Sequence, residues 1–207
     1  YQVGDEVTLT ATQPEGETIS ATIRLQSFPP RDQIAYFFLP WIIAIIYLGS
    51  GLWVLGMRYN QAAGRAFAIF TASTAIAIAG IFDMYTTNRL TPLWVISLAL
   101  VAGSLVHLAW IFPYPSNLLK RWHFLRWIGY GLGLLFAIIT LPMIFDIGHP
   151  YRYISLRRIN YALVGASVIF FIGITAHHRC RSKSPLVRQR VRIILWGAMV
   201  AFVPSSS

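Results

Sequence analysis

"HLAWIFPYPSNLLKRW" occupies His107–Trp122. It opens as an apolar run, turns on Pro113 and Pro115, and closes on Lys120 and Arg121 beside Trp122. An apolar segment that ends on paired cations and an indole has the chemistry of a helix leaving a bilayer. The cations reach lipid phosphates and the indole sits at headgroup depth. Lys120, Arg121 and Trp122 are therefore expected to be inner-face anchors.

The composition agrees with this reading. Of 207 residues, 56% are hydrophobic and only 12% charged, against about 25% charged in soluble domains. So few charges cannot cover a water-soluble fold of this size. The net charge of +10 raises nucleic acid as a partner. The bases, however, fall in short clusters between long apolar runs, which points to anionic headgroups instead. One cysteine, Cys180, cannot form an internal disulfide.

Outward from the opening stretch, five apolar segments of about 20 residues are each long enough to span. They are residues 35–57, 64–84, 92–112, 124–146 and 157–178, and a sixth begins near 191. Helices satisfy every backbone group in hydrocarbon without a partner chain, so the fold class is an all-α polytopic transmembrane bundle. Trp41, Trp94, Trp110, Trp122 and Trp127 mark an interfacial belt. Thr91 before Pro92, and Ser155, are expected N-caps.

Residues 1–33 differ. Val7 and Leu9, then Ile19, Ala21, Ile23 and Leu25, alternate with polar neighbours, and "QPEGE" lies between them. Period two with a proline–glycine turn predicts a β-hairpin. A lone hairpin is marginal in water, so its partner strands are expected upstream or on another chain. The expected domains are a hairpin over 1–33 and the bundle over 34–207. The start on Tyr1 and the finish on "AFVPSSS" suggest a piece of a longer protein.

Loops after the first, third and fifth segments carry eleven lysines and arginines, including Arg179 and Arg181; the other side carries six. The positive-inside rule then places the hairpin outside the cell membrane.

Ionisable residues near the membrane are candidate site residues. Asp83 and Asp146 fall at outer helix ends, where they can pair with Arg89 or Arg152 or line a ligand cavity. His107 lies in the third segment and His177 and His178 end the fifth, on the same side. Imidazoles on facing helices can clamp a haem or ligate a chlorin magnesium, although no cofactor is required by the sequence. Small residues at Ala68, Ala72, Ala75 and Ala79, and the pair Gly129 and Gly133, offer close helix packing. No HExxH, G-x-S-x-G or P-loop is present, so no catalytic residue is assigned.

"VGDEVTLTATQPEGETISATIRL" resembles the last strands of a bacterial PDZ-like domain. "AGRAFAIFTAS", "HLAWIFPYPSNLLKRW" and "VRQRVRIILWGAMVAFVP" resemble the membrane-embedded sensory regions of bacterial histidine kinases of the competence-pheromone-receptor kind. The resemblance implies a multi-pass protein of the bacterial inner membrane. It also implies a histidine-bearing dimerisation helix and an ATP-binding domain further along the chain. The competing expectation is an accessory subunit of a photosynthetic or respiratory complex. Under either expectation the partners are lipid, a second copy or other membrane subunits; nucleic acid is not among them.

Overall fold

The structure, a computed structural model, describes residues 2–12, 18–112, 122, 124–146, 148, 150–181 and 189. The chain divides into two compact units, Tyr1–Leu39 and Pro40–Ser207.

The first unit contains the expected hairpin. Strands β1 (Glu6–Thr12) and β2 (Thr18–Arg24) pair antiparallel. Val7 faces Ile23 and Leu9 faces Ala21, while Thr8 faces Thr22 and Thr10 faces Ser20. Alternate side chains point to opposite faces, so this register gathers the apolar residues on one face and the hydroxyls on the other. Gly4 has φ +104°, a conformation glycine adopts without steric cost, and its N–H donates to the Leu25 carbonyl at 2.9 Å, closing the open end. The "QPEGE" turn lies outside the described residues. A short helix, α1 (Pro30–Gln33), and a π-helical turn (Ile34–Phe38) complete the unit.

The second unit contains α2 (Leu39–Arg58) from Pro40 onward, α3 (Ala62–Ala79), the short α4 (Ile81–Tyr85), α5 (Thr91–Ile111), α6 (Leu125–Thr140) and α7 (Pro150–Arg181). Five helical segments are long and apolar enough to cross a membrane: Pro30–Arg58, Ala62–Tyr85, Thr91–Ile111, Leu125–Met143 and Arg152–His177. They correspond to the five expected spans. The sixth apolar run lies outside the described residues.

Burial in these helices runs opposite to that of a water-soluble protein. In α3 the buried residues are Gly64, Ala66, Thr71, Ser73, Ala75 and Ala77, while Ile69 and Ile76 are exposed. In α6 they are Gly129, Gly133, Ala137 and Thr140, while Leu134, Leu135 and Ile138 are exposed. In α7 Asn160, Ser167 and Thr175 are buried and Ile169 is 73% exposed. In lipid, burying leucine yields no hydrophobic gain, and small residues pack inward because they let backbones approach. Several buried hydroxyls bond within their own helices: Ser97 donates to the Trp94 carbonyl at 2.7 Å and Ser167 to the Leu163 carbonyl at 2.8 Å. This pattern, with the five apolar helices, describes a multi-pass membrane protein.

Helix α5 is the centre. It packs against α3, α6 and α7 and is mostly buried, whereas less than a third of each of the other four spans is buried. Its contact with α6 is made at backbone distance. A Cβ on Gly133 would lie 2.6 Å from the Ala99 carbonyl oxygen, and one on Gly129 would lie 3.1 Å from the Gly103 Cα. Gly129 and Gly133 thus form the close crossing that their spacing suggests, and Gly103 on α5 completes it.

Several local expectations change. Helix α5 begins at Thr91 with Leu90 at the N-cap, and the Thr91 hydroxyl donates to the Asn88 carbonyl at 2.9 Å. Ser155 lies inside α7, because the helix starts at Pro150 and carries Arg152, Arg157 and Arg158 in its early turns. Proline suits a helical first turn, and the arginines' aliphatic stems suit a membrane end. Trp94 is 5% exposed and packs edge-on to Tyr161 at 5.6 Å; it is a core residue instead of a belt residue. The expected alanine stripe of α3 divides: Ala75 is buried, while Ala68, Ala72 and Ala79 are half-buried. Helix α3 meets α5 and also α2, at Gly51, so it spreads its small residues over more than one face.

Candidate functional site

Three groups of polar side chains stand out in the bundle. The first is organised by Asp83. One carboxylate oxygen accepts from the Thr87 hydroxyl and the other from the Leu90 N–H at 2.7 Å. The Asp83 carbonyl accepts from the N–H groups of Thr86 at 3.1 Å and Asn88 at 2.8 Å. Asn88 has φ 54°, the left-handed region that asparagine tolerates better than most residues. Asp83 therefore folds the 86–90 loop and fixes the start of α5. Asp83→Ala should lower the unfolding free energy by about 1 kcal/mol, a capping-sized loss from an exposed loop. Chemical unfolding in bicelles measures it, and Asp83→Asn should recover part.

Asp146, the other candidate carboxylate, follows the 3₁₀ turn Leu141–Met143 at the end of α6 and accepts from the Gly148 N–H at 3.0 Å.

The second group surrounds His107. Its Nδ1 lies 3.3 Å from the Tyr130 hydroxyl of α6, and its ring stacks on Trp127 at 6.4 Å. The Arg126 guanidinium lies 5.7 Å from the Trp127 ring centroid. His107 Nε2 is buried without a partner among the described residues. His107 is thus brought to α6, and His177 is exposed on α7. The backbone of His178, Arg179 and Arg181 belongs to α7; their side chains, with Lys120 and Arg121, lie outside the described residues. Trp122 is 49% exposed and packs edge-on to Phe124. Tyr130→Phe removes the α5–α6 hydrogen bond and should cost about 0.6 to 1 kcal/mol, the range of single interhelical bonds in membranes. Unfolding in bicelles is again the measurement.

The third group has little warning in the sequence. Asn160 of α7 is 1% exposed, and its Nδ2 donates to the Thr140 hydroxyl of α6 and to the Leu156 carbonyl, both at 3.3 Å. Thr140 in turn donates to the Phe136 carbonyl at 2.7 Å. Asn160 Oδ1 is buried and unpartnered among the described residues. The one sequence signal is a single amide at the edge of a long apolar run.

Among the described residues, no group of three or more histidine, cysteine, aspartate or glutamate side chains is placed to hold a metal ion. Compared with protein-family models, curated proteins and solved structures, the chain matches none. The functional reading therefore rests on the residues and their geometry.

Proposed function

We propose that this chain is the membrane-embedded region of a sensory protein, non-catalytic in itself, that passes an external stimulus to a cytoplasmic kinase domain. The observation that supports the reading is α5, held between α3, α6 and α7, with carbonyl-to-glycine contacts towards α6. A helix packed at backbone distance shifts by discrete steps and carries its neighbours with it. The hairpin lies outside a bacterial inner membrane in this reading, and the more basic loops lie inside. Lipid surrounds the exposed apolar faces, which also offer surface to a second copy or another subunit. The coding sequence beyond Ser207 tests the proposal. It should continue into a histidine-bearing helix and an ATP-binding domain, and a stop codon just beyond would remove the kinase reading.

A second reading, an accessory subunit that docks pigments or neighbouring helices, is favoured by one observation: the Nε2 of His107, buried without a partner among the described residues. In that case the protein purifies with haem or chlorin proteins and shows an absorbance band that His107→Ala removes.

A further inference from the structure

Four polar residues, Tyr153, Asn160, Ser167 and Thr175, recur along α7 at spacings of seven, seven and eight. Such spacing puts them on one face of a helix. That face turns inward: Asn160, Ser167 and Thr175 are 1%, 4% and 0% exposed. Val164, one turn beyond Asn160 on the same face, packs against the cluster that includes Val95, Leu98 and Ala99 of α5. The line therefore lies along the α5–α7 contact, with Thr140 of α6 beside it at Asn160. From Tyr153 to Thr175 it runs about 33 Å at 1.5 Å per residue, close to the ~30 Å of bilayer hydrocarbon.

Three of its polar atoms are orphans. The Tyr153 hydroxyl, Asn160 Oδ1 and Thr175 Oγ1 are buried with no hydrogen-bond partner among the described residues. Buried polar groups are almost always paired, by protein or by ordered water. A threonine in a membrane helix commonly bonds its own backbone, as Thr71, Thr74 and Thr140 do here. Thr175 departs from that habit. Ser167 donates to Leu163 and keeps acceptor capacity.

We propose that this seam binds a file of water molecules between α7 and α5, held at Tyr153, Asn160, Ser167 and Thr175. Buried waters typically make about three hydrogen bonds to groups left otherwise unsatisfied, and the seam supplies such groups at intervals along its length. The ligand class is a small neutral donor and acceptor: the residues of the line carry no charge, and Asn160 Oδ1 requires a donor. A water-mediated contact exchanges partners without rotamer strain. It makes α7 the span that slides most readily on α5, whereas the glycine contact ties α6 to α5. The inference rests on the membrane reading and is independent of the sensor reading.

X-ray hydroxyl-radical footprinting of the full chain in lipid nanodiscs tests it, because bound waters generate radicals where they sit. Val164 and Phe171 on the seam should be oxidised several-fold faster than Ile169 and Leu135, which face outward. In Asn160→Leu/Thr175→Val that labelling should fall to the rate of the outward-facing pair. Thr175→Ser, which keeps the hydroxyl, should retain it. Circular dichroism and gel filtration verify that each variant is folded. Equal labelling of seam and outward residues in the native protein would overturn the proposal. So would labelling unchanged in the folded double variant.

Discussion

Gly133→Leu should separate α6 from α5 and cost about 3 kcal/mol or more, the upper range for overpacking. The reason is positional. A Cβ at residue 133 would sit 2.6 Å from the Ala99 carbonyl oxygen and 3.1 Å from its carbon. Both are backbone atoms, so no rotamer change relieves the clash, and the helix must move. Movement in turn breaks the contacts made by Gly129 and Gly103, where an added Cβ would lie 2.7 Å from Val106 and Tyr130 respectively. Helix α6 supplies its own control. A Cβ on Gly131 would meet nothing within 4 Å among the described residues, so Gly131→Ala should be neutral or stabilising by up to about 1 kcal/mol through helix propensity. Reversible unfolding in bicelles compares the two. Equal effects at 131 and 133 would mean that α6 does not cross α5 where described.

Gly51→Leu should release α2 from the bundle. Helix α2 buries only Pro40, Ala44 and Gly51; most of its large side chains, among them Ile45, Ile46, Leu52 and Trp53, are exposed. The place a Cβ would take at Gly51 is occupied by the Thr71 side chain of α3, whose hydroxyl is held by the Phe67 and Ala68 carbonyls at 3.1 Å. Overpacking at so narrow a contact costs about 1 to 3 kcal/mol, and α2 buries little else that would hold it in place. A nitroxide at Tyr47, half-buried on α2, should change from an immobilised to a mobile spectrum. Gly49→Leu, where no described residue lies within 4 Å of an added Cβ, should leave that spectrum unchanged.

The five spans are legible in the sequence because length and apolarity are local properties, and hydrocarbon permits few alternatives to a helix. The hairpin is legible for the same kind of reason: period two is written directly in residues 6–12 and 18–24. The glycine crossing is half legible. Gly129 and Gly133 show their spacing, but nothing near them names Ala99 and Gly103 as the partner surface.

The helix starts differ from expectation because remote groups decide them. Leu90 takes the cap of α5 because the Asp83 carboxylate, seven residues back, accepts its N–H. Helix α7 runs through three arginines that a composition count assigns to a loop. Asn160 gives little sign of itself because its importance lies in burial against Thr140, twenty residues away. His107 reads in sequence as a partner for the histidines of α7, while its nearest aromatic company, Tyr130 and Trp127, belongs to α6.

A bundle of this kind requires lipid around its outward faces, and nitroxide accessibility measures that directly. With Cys180 replaced by serine, single spin labels at Ile46, Leu135 and Ile169 in reconstituted bilayers should relax readily with oxygen and scarcely with a water-soluble nickel chelate. Labels at Tyr59 and Asn88, in the turns between spans, should show the reverse order. If Ile169 and Leu135 instead met the nickel chelate as freely as Asn88, water would surround those faces and the bundle would not be a membrane protein.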